Sequence, residues 1–228
     1  MGDMVSFPIN GTNGQGYLAT PEGGAGPGVI VIQEWWGLVP HIKDVADRFA
    51  REGFVALAPD LFYGRQTSSP DEAGKLFMAL NVGQAERDLR GAVRHLLAHV
   101  ATTGGRVGTV GFCMGGALAL FAASKNEQVG ACVVFYGIHP KVEPDFEALR
   151  APVLGLFAGN DSSVPPAAVR ALEEKVREHG KSIETHIYPG IDHAFFNDTR
   201  PEVYDAEAAA DAWRRTIEFF RKHLGSRQ

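Results

Sequence analysis

The stretch from Val107 to Ala123 constrains this chain more than any other. An apolar run ends in Gly111-Phe112-Cys113-Met114-Gly115-Gly116 and passes into a run of Ala, Leu and Phe. It reads as strand, sharp turn and helix, with the thiol of Cys113 at the turn. Glycine two residues to either side of a reactive residue is the pattern of a nucleophile elbow. There the side chain is thrust out of a strained turn, and a Cβ on the flanking residues would collide with neighbouring backbone. Such an elbow is useful only if the rest of the chain supplies a base, an acid to orient it and an oxyanion hole.

Strands and helices alternate around it. Val5 to Ile9 and Gly16 to Thr20 flank an Asn/Gly turn and read as a hairpin at one edge of a sheet. Val29-Ile30-Val31-Ile32 is an uninterrupted β-branched run, as expected of a strand buried on both faces. Ile42, Val45, Ala46 and Phe49 have helical spacing, with Gly53 placed to end the helix. Phe54 to Ala58 is the next strand. A short helix over Pro70 to Leu80 and a longer one over Ala85 to Val100 follow, the latter burying Leu89, Val93, Leu96, Leu97 and Val100. After the elbow come a close-packed helix over Met114 to Ser124 and strands at Gly130 to Tyr136 and Val153 to Ala158. A helix from Pro165 or Pro166 to His179, a strand at Ser182 to Tyr188 and a helix over Asp205 to Leu224 complete the chain. This order predicts an α/β protein with a mostly parallel central sheet covered by helices on both faces.

At 228 residues with 45% apolar content, the chain is expected to form a single domain spanning residues 1–228. Its 22 basic and 27 acidic side chains form no basic cluster, so neither nucleic acid nor an anionic membrane is expected as a partner. No leader pattern or membrane span is visible, and a cytoplasmic monomer or weak homodimer acting on a small molecule is expected. Cys113 and Cys132 are read as reduced, Cys132 as a small buried hydrophobe. His95 and His99 stand four apart on a charged helix with no third ligand nearby, so they read as surface histidines and no metal is expected.

In mostly parallel sheets ligands bind beyond the carboxyl ends of the strands. Glu34, Cys113, Asp161 and His193 all follow strands. The order nucleophile, acid, base (Cys113, Asp161, His193) is that of the α/β-hydrolase triad. His193 would raise the reactive fraction of the thiol, and Asp161 would fix the imidazole tautomer. The backbone N–H groups of Met114 and Trp35 are the expected oxyanion donors. Trp36, Tyr136 and Phe195 are candidates for the substrate pocket.

Gln33-Glu34-Trp35-Trp36-Gly37, Pro59-Asp60-Leu61-Phe62, the elbow, Gly159-Asn160-Asp161 and Asp192-His193-Ala194-Phe195 together resemble the dienelactone hydrolase (carboxymethylenebutenolidase) family. The resemblance implies an α/β-hydrolase domain without a cofactor, with a cysteine triad at Cys113, Asp161 and His193. It also implies that Glu34 takes the proton of the thiol when substrate binds; on the residues alone Glu34 could equally cap the next helix. Family members that hold a dienelactone carboxylate carry Arg four residues after the triad histidine and five before a Lys-Leu-aromatic block. Here those positions are Asn197 and Pro70, and Gly74 replaces the Tyr before Lys75. The expected activity is hydrolysis of an ester or lactone less charged than dienelactone, with Lys75 or Arg65 as substitute grips. Two other functions are compatible with the same residues: a thiol-based redox sensor, and a catalytically silent binding module.

Overall fold

The computed structural model describes residues 2–139 and 141–225. The chain opens with strands β1 (Asp3–Ile9) and β2 (Thr12–Ala19), joined by Asn10 and Gly11, both at positive φ as a tight hairpin turn requires. β3 (Gly26–Ile32), helix α1 (Pro40–Arg51) and β4 (Val55–Pro59) follow. Next come α2 (Pro70–Met78), α3 (Val82–Ala98), β5 (Thr102–Phe112) and α4 (Met114–Lys125). The remainder is β6 (Val129–Phe135), β7 (Val153–Ala158), α5 (Pro166–Glu178), β8 (Ile183–Tyr188) and α6 (Ala206–Leu224).

The strands form one eight-stranded sheet in the order β1-β2-β4-β3-β5-β6-β7-β8. The β1 and β2 pairings are antiparallel, and every pairing from β4 to β8 is parallel. After β3 the chain builds outward to β4, then returns past β3 to place β5 on the other side. The order therefore reverses between β3 and β5, where an open α/β sheet forms its ligand crevice. Helices α1 and α6 cover one face, and α2 to α5 pack on the other. Strands β3, β4, β6 and β7 are buried on both faces from end to end or nearly so, and β5 is buried from Val107 to Phe112, which is why these stretches read from sequence as apolar runs. Among the described residues no helix is long and apolar enough to cross a membrane.

β5 begins at Thr102, five residues before the apolar run that marks it in the sequence, and the long helix departs from expectation at both ends. The long helix begins at Val82, three residues early, because the Asn81 side chain accepts the Gln84 N–H at 3.0 Å and caps it. It ends at Ala98, so Val100 lies in the following turn, 98% exposed, instead of on the apolar face. The remaining helices and strands fall within a few residues of their expected limits.

Candidate active site

The five neighbouring strands β3, β5, β6, β7 and β8 deliver Glu34, Cys113, Tyr136, Asp161 and His193 to one end of the sheet. Cys113 is pinned between strand and helix. Its N–H donates to the Phe135 carbonyl at 3.0 Å, its own carbonyl accepts from Gly116 at 2.9 Å, and its backbone sits at φ 54, ψ −119. A non-glycine residue at that φ is strained, and the close packing around the turn holds it there. A Cβ on Gly111 would lie 1.9 Å from the Gly115 carbonyl oxygen, and one on Gly115 2.4 Å from the carbonyl oxygens of both Ile32 and Gln33. Gly115→Ala must therefore push the end of β3 away from the elbow. We expect a loss of about 3 kcal/mol, seen as a Tm lowered by about 6–12 °C. A Tm within 2 °C of wild type in a thermal melt would refute this account of the turn.

Asp161 serves two purposes at once. Oδ1 accepts the N–H groups of Ser163 (2.8 Å) and Val164 (2.9 Å), which shapes the turn, while Oδ2 lies 2.5 Å from Nδ1 of His193. The two loops are tied by Gly159 N–H to the Tyr188 carbonyl (2.8 Å) and Asn160 N–H to the Ile191 carbonyl (2.9 Å). With Nδ1 directed at Asp161, the other ring nitrogen of His193 faces Cys113, within hydrogen-bonding reach. Burial works to lower the His193 pKa, but hydrogen bonds to Asp161 and Cys113 and the negative charge on both outweigh it, pushing it up to about 10. Asp161 is also desolvated, yet its bonds to His193 and the two backbone N–H groups hold it below the usual carboxylate range.

Glu34 is not a helix cap: α1 starts six residues later behind Val39, with no side-chain cap. It is buried on the wall of the cavity that Cys113 and His193 also line. Burial raises its pKa, against the opposing effects of an Asn197 hydrogen bond and the charges of His193 and Arg200. Asn197 Nδ2 donates to Glu34 Oε2 at 2.8 Å. The orientation of that amide follows from Thr199, whose backbone N–H, an obligate donor, bonds Asn197 Oδ1 at 3.1 Å. Oε2 is therefore an acceptor, and Oε1 is left to carry or receive a proton.

The cavity encloses about 360 Å³. Trp36 and Tyr136 line it, together with Phe77, the aromatic of the Lys-Leu-aromatic block, and with Met78, Ile138 and Arg200, for which the sequence offers no periodic or motif signal. Phe195 does not reach it. That ring is fully buried and packs on Tyr136 (5.4 Å) and Tyr188 (5.0 Å) behind the wall, while Ala194 takes the lining position. His193 and Phe195 point opposite ways because the chain turns between them, with Ala194 at a positive φ of 64. The N–H of Met114 is in the first turn of α4, where no intrahelical acceptor exists, and among the described residues neither it nor the Trp35 N–H bonds a loop or turn carbonyl. Two motif residues prove to be scaffold. Gln33 Oε1 accepts from Leu61 N–H at 3.1 Å, and Asp60 accepts from Phe62 (3.0 Å) and Gly64 (2.5 Å).

Neither substitute grip is near the site: Arg65 is exposed, Lys75 is 77% exposed and paired with Glu72, and neither lines the cavity. His95 stacks on Phe7 at 5.6 Å, and His99 Nδ1 accepts the Ala101 N–H at 3.3 Å. Cys132 is free and fully buried in β6, and burial pushes its thiol up to about 12, a poor resolving partner for Cys113.

Residues 15–224 match the dienelactone hydrolase family. The chain is 40% identical to protein usf of Aquifex pyrophilus, covering 98% of this chain and 100% of that protein. It is 36% identical, with the same coverage, to a candidate carboxymethylenebutenolidase of Aquifex aeolicus (strain VF5). The crystal structure of a candidate dienelactone hydrolase from Klebsiella pneumoniae subsp. pneumoniae MGH 78578 superposes with a TM-score of 0.89 at 31% identity, covering 98% of this chain and 99% of the other. The chain belongs to the dienelactone hydrolase family and is a hydrolase of ester bonds on an α/β-hydrolase fold.

Proposed function

We propose that the chain cleaves a small ester or lactone by covalent catalysis at Cys113, through a thioester. One observation carries this reading: His193 bridges Asp161, at 2.5 Å from Nδ1, and the thiol at the strained elbow. The imidazole so placed is protonated at neutral pH, and Cys113 reacts as its thiolate. The sulfur attacks the carbonyl carbon, and the Trp35 and Met114 N–H groups receive the developing oxyanion. As the carbon–oxygen bond breaks, the departing alkoxide or enolate takes its proton from imidazolium. The thioester has no charge on sulfur, so two of the effects that raised the His193 pKa vanish with the thiolate. The imidazole becomes a base at that moment, takes a proton from water, and the carbon–sulfur bond breaks to release the acid and restore the ion pair. Glu34 is the group that receives the thiol proton when the ion pair is first set up; a buried carboxylate of raised pKa is a better base than an exposed one.

The test is release of p-nitrophenol from a short-chain ester before and after stoichiometric alkylation, with the labelled residue mapped by mass spectrometry. Turnover should fall in proportion to label on Cys113. Turnover that survives full labelling of Cys113 would sink the covalent mechanism.

A further inference from the structure

Arg200 is the residue that neither the triad nor the motif blocks account for. It stands on the wall of the catalytic cavity and of a second cavity beside it, with Trp36 shared between the two. Its guanidinium lies over the Trp36 ring, 5.3 Å from the centroid. The backbone is fixed in a turn: the Arg200 N–H donates to the Asn197 carbonyl (3.1 Å), and its own carbonyl accepts from Val203 (3.1 Å) and Tyr204 (3.0 Å). Nε donates to Glu202 at 2.8 Å, and among the described residues the two Nη groups meet no acceptor. Glu202 is 58% exposed, so this pair is weak and screened and does not neutralise the guanidinium. Its charge reaches the centre of the site, opposing the rise in pKa of both Glu34 and Tyr136.

The rest of the wall is largely apolar. Apart from Glu34, already bonded to Asn197, no carboxylate lines the cavity among the described residues. His139 is kept neutral by burial, the imidazolium of His193 is paired with Asp161, and Lys141 is exposed. A planar guanidinium held on an indole face with its fork unsatisfied is suited to a carboxylate, which it can grip through two parallel hydrogen bonds.

We propose that Arg200 holds a carboxylate carried by the substrate outside the scissile bond, so that anionic esters or lactones are preferred over neutral ones of the same size. This rests on the ester-cleaving role proposed for the cavity, and it reverses the charge preference expected from Asn197 and Pro70. Asn197 is committed to Glu34, and Pro70 is the first residue of α2. The grip comes instead from three residues further along the histidine loop.

The experiment compares kcat/KM for mono-p-nitrophenyl succinate and p-nitrophenyl butyrate in wild type, Arg200→Gln and Arg200→Lys. Taking the ratio of the two esters cancels any effect of Arg200 that passes through Glu34 or through folding. Wild type should favour the anionic ester, and Arg200→Gln should lower the anionic-to-neutral ratio about 10- to 100-fold, chiefly through KM. Arg200→Lys, which keeps the charge and loses the fork, should fall between. A ratio unchanged in Arg200→Gln, or a wild-type preference for the neutral ester, overturns the proposal. A second arm needs no turnover: the rate of Cys113 alkylation by iodoacetate relative to iodoacetamide should drop in Arg200→Gln. If no ester is cleaved yet that drop appears, the hydrolytic reading fails and the anion grip stands. If the alkylation ratio does not move, the grip fails whatever the esters do.

Discussion

Cys113→Ala should abolish ester hydrolysis, lowering kcat by about 10⁴- to 10⁶-fold, as loss of the nucleophile does where nucleophile and base act as a unit. The residual rate would come from binding and from the two backbone N–H groups. The same substitution has a second consequence that a merely structural cysteine would not produce. His193 is pushed up to about 10 against its own desolvation, and Cys113 contributes both a hydrogen bond and a negative charge to that rise. With alanine at position 113 both are gone, only Asp161 is left to hold the proton, and the His193 pKa should fall. An NMR titration of the His193 ring reads this directly: the wild-type imidazole stays protonated to alkaline pH, and the variant titrates below it. Folding should change little, because Cys113 sits at the cavity wall and the elbow is pinned by backbone bonds to Phe135 and Gly116. If Cys113→Ala kept its activity, or left the His193 titration where it was, the ion pair would not exist.

Much of this architecture is legible in the sequence because burial on both faces leaves few choices. Val29 to Ile32, Val153 to Ala158 and the run ahead of Cys113 must be strands of a covered sheet, and the helices between them follow from that. The proposed triad is legible for a related reason. Side chains past the ends of adjacent parallel strands converge, so residues a long way apart in sequence can be grouped by their position after a strand. Asp161 could be read as a turn former or as the triad acid, and its two oxygens have partners suited to one reading each: Oδ1 shapes the turn and Oδ2 faces His193.

What the sequence hid depends on side-chain direction within irregular loops, where no period exists. Phe195 and Arg200 both follow His193, one turned into the core and the other over Trp36 into the cavity. Only the path of the loop decides between them, and that path includes a positive φ at Ala194 that its residue type does not advertise. Asn197 illustrates the other limit. Read against a pattern it is an absent arginine, whereas in space it is the donor that fixes which oxygen of Glu34 can move a proton. Val100 was misplaced for a simpler reason, since an apolar residue in register with a helix gives no sign that the helix has stopped.

Asp161→Asn should cost nearly as much activity as loss of the thiol while leaving the cavity its shape. Oδ1 of Asp161 is committed to two backbone donors, Ser163 and Val164. An asparagine that keeps the turn must keep its carbonyl oxygen there, so its NH₂ is forced to face Nδ1 of His193. Nδ1 then has to be an acceptor, which moves the ring proton to the nitrogen facing Cys113. That tautomer cannot take a proton from the thiol or from water, and kcat should fall about 10³- to 10⁴-fold. The stability cost is smaller, about 1.5–3 kcal/mol for one charge-assisted hydrogen bond, and its pH dependence has a definite sign. The folded Asp161 pKa is depressed, so its contribution is present above the unfolded value of about 4 and lost as pH falls through the folded one. The folded His193 pKa is raised, so its contribution is full below the unfolded value of about 6.5 and is lost as pH climbs toward about 10. Denaturant titrations of wild type and Asp161→Asn should therefore differ most between about pH 4 and 6.5 and converge on either side of that window. A difference that kept growing above pH 7 would mean that the pair is not held as carboxylate and imidazolium, and the mechanism would need another source for the proton that the leaving group takes.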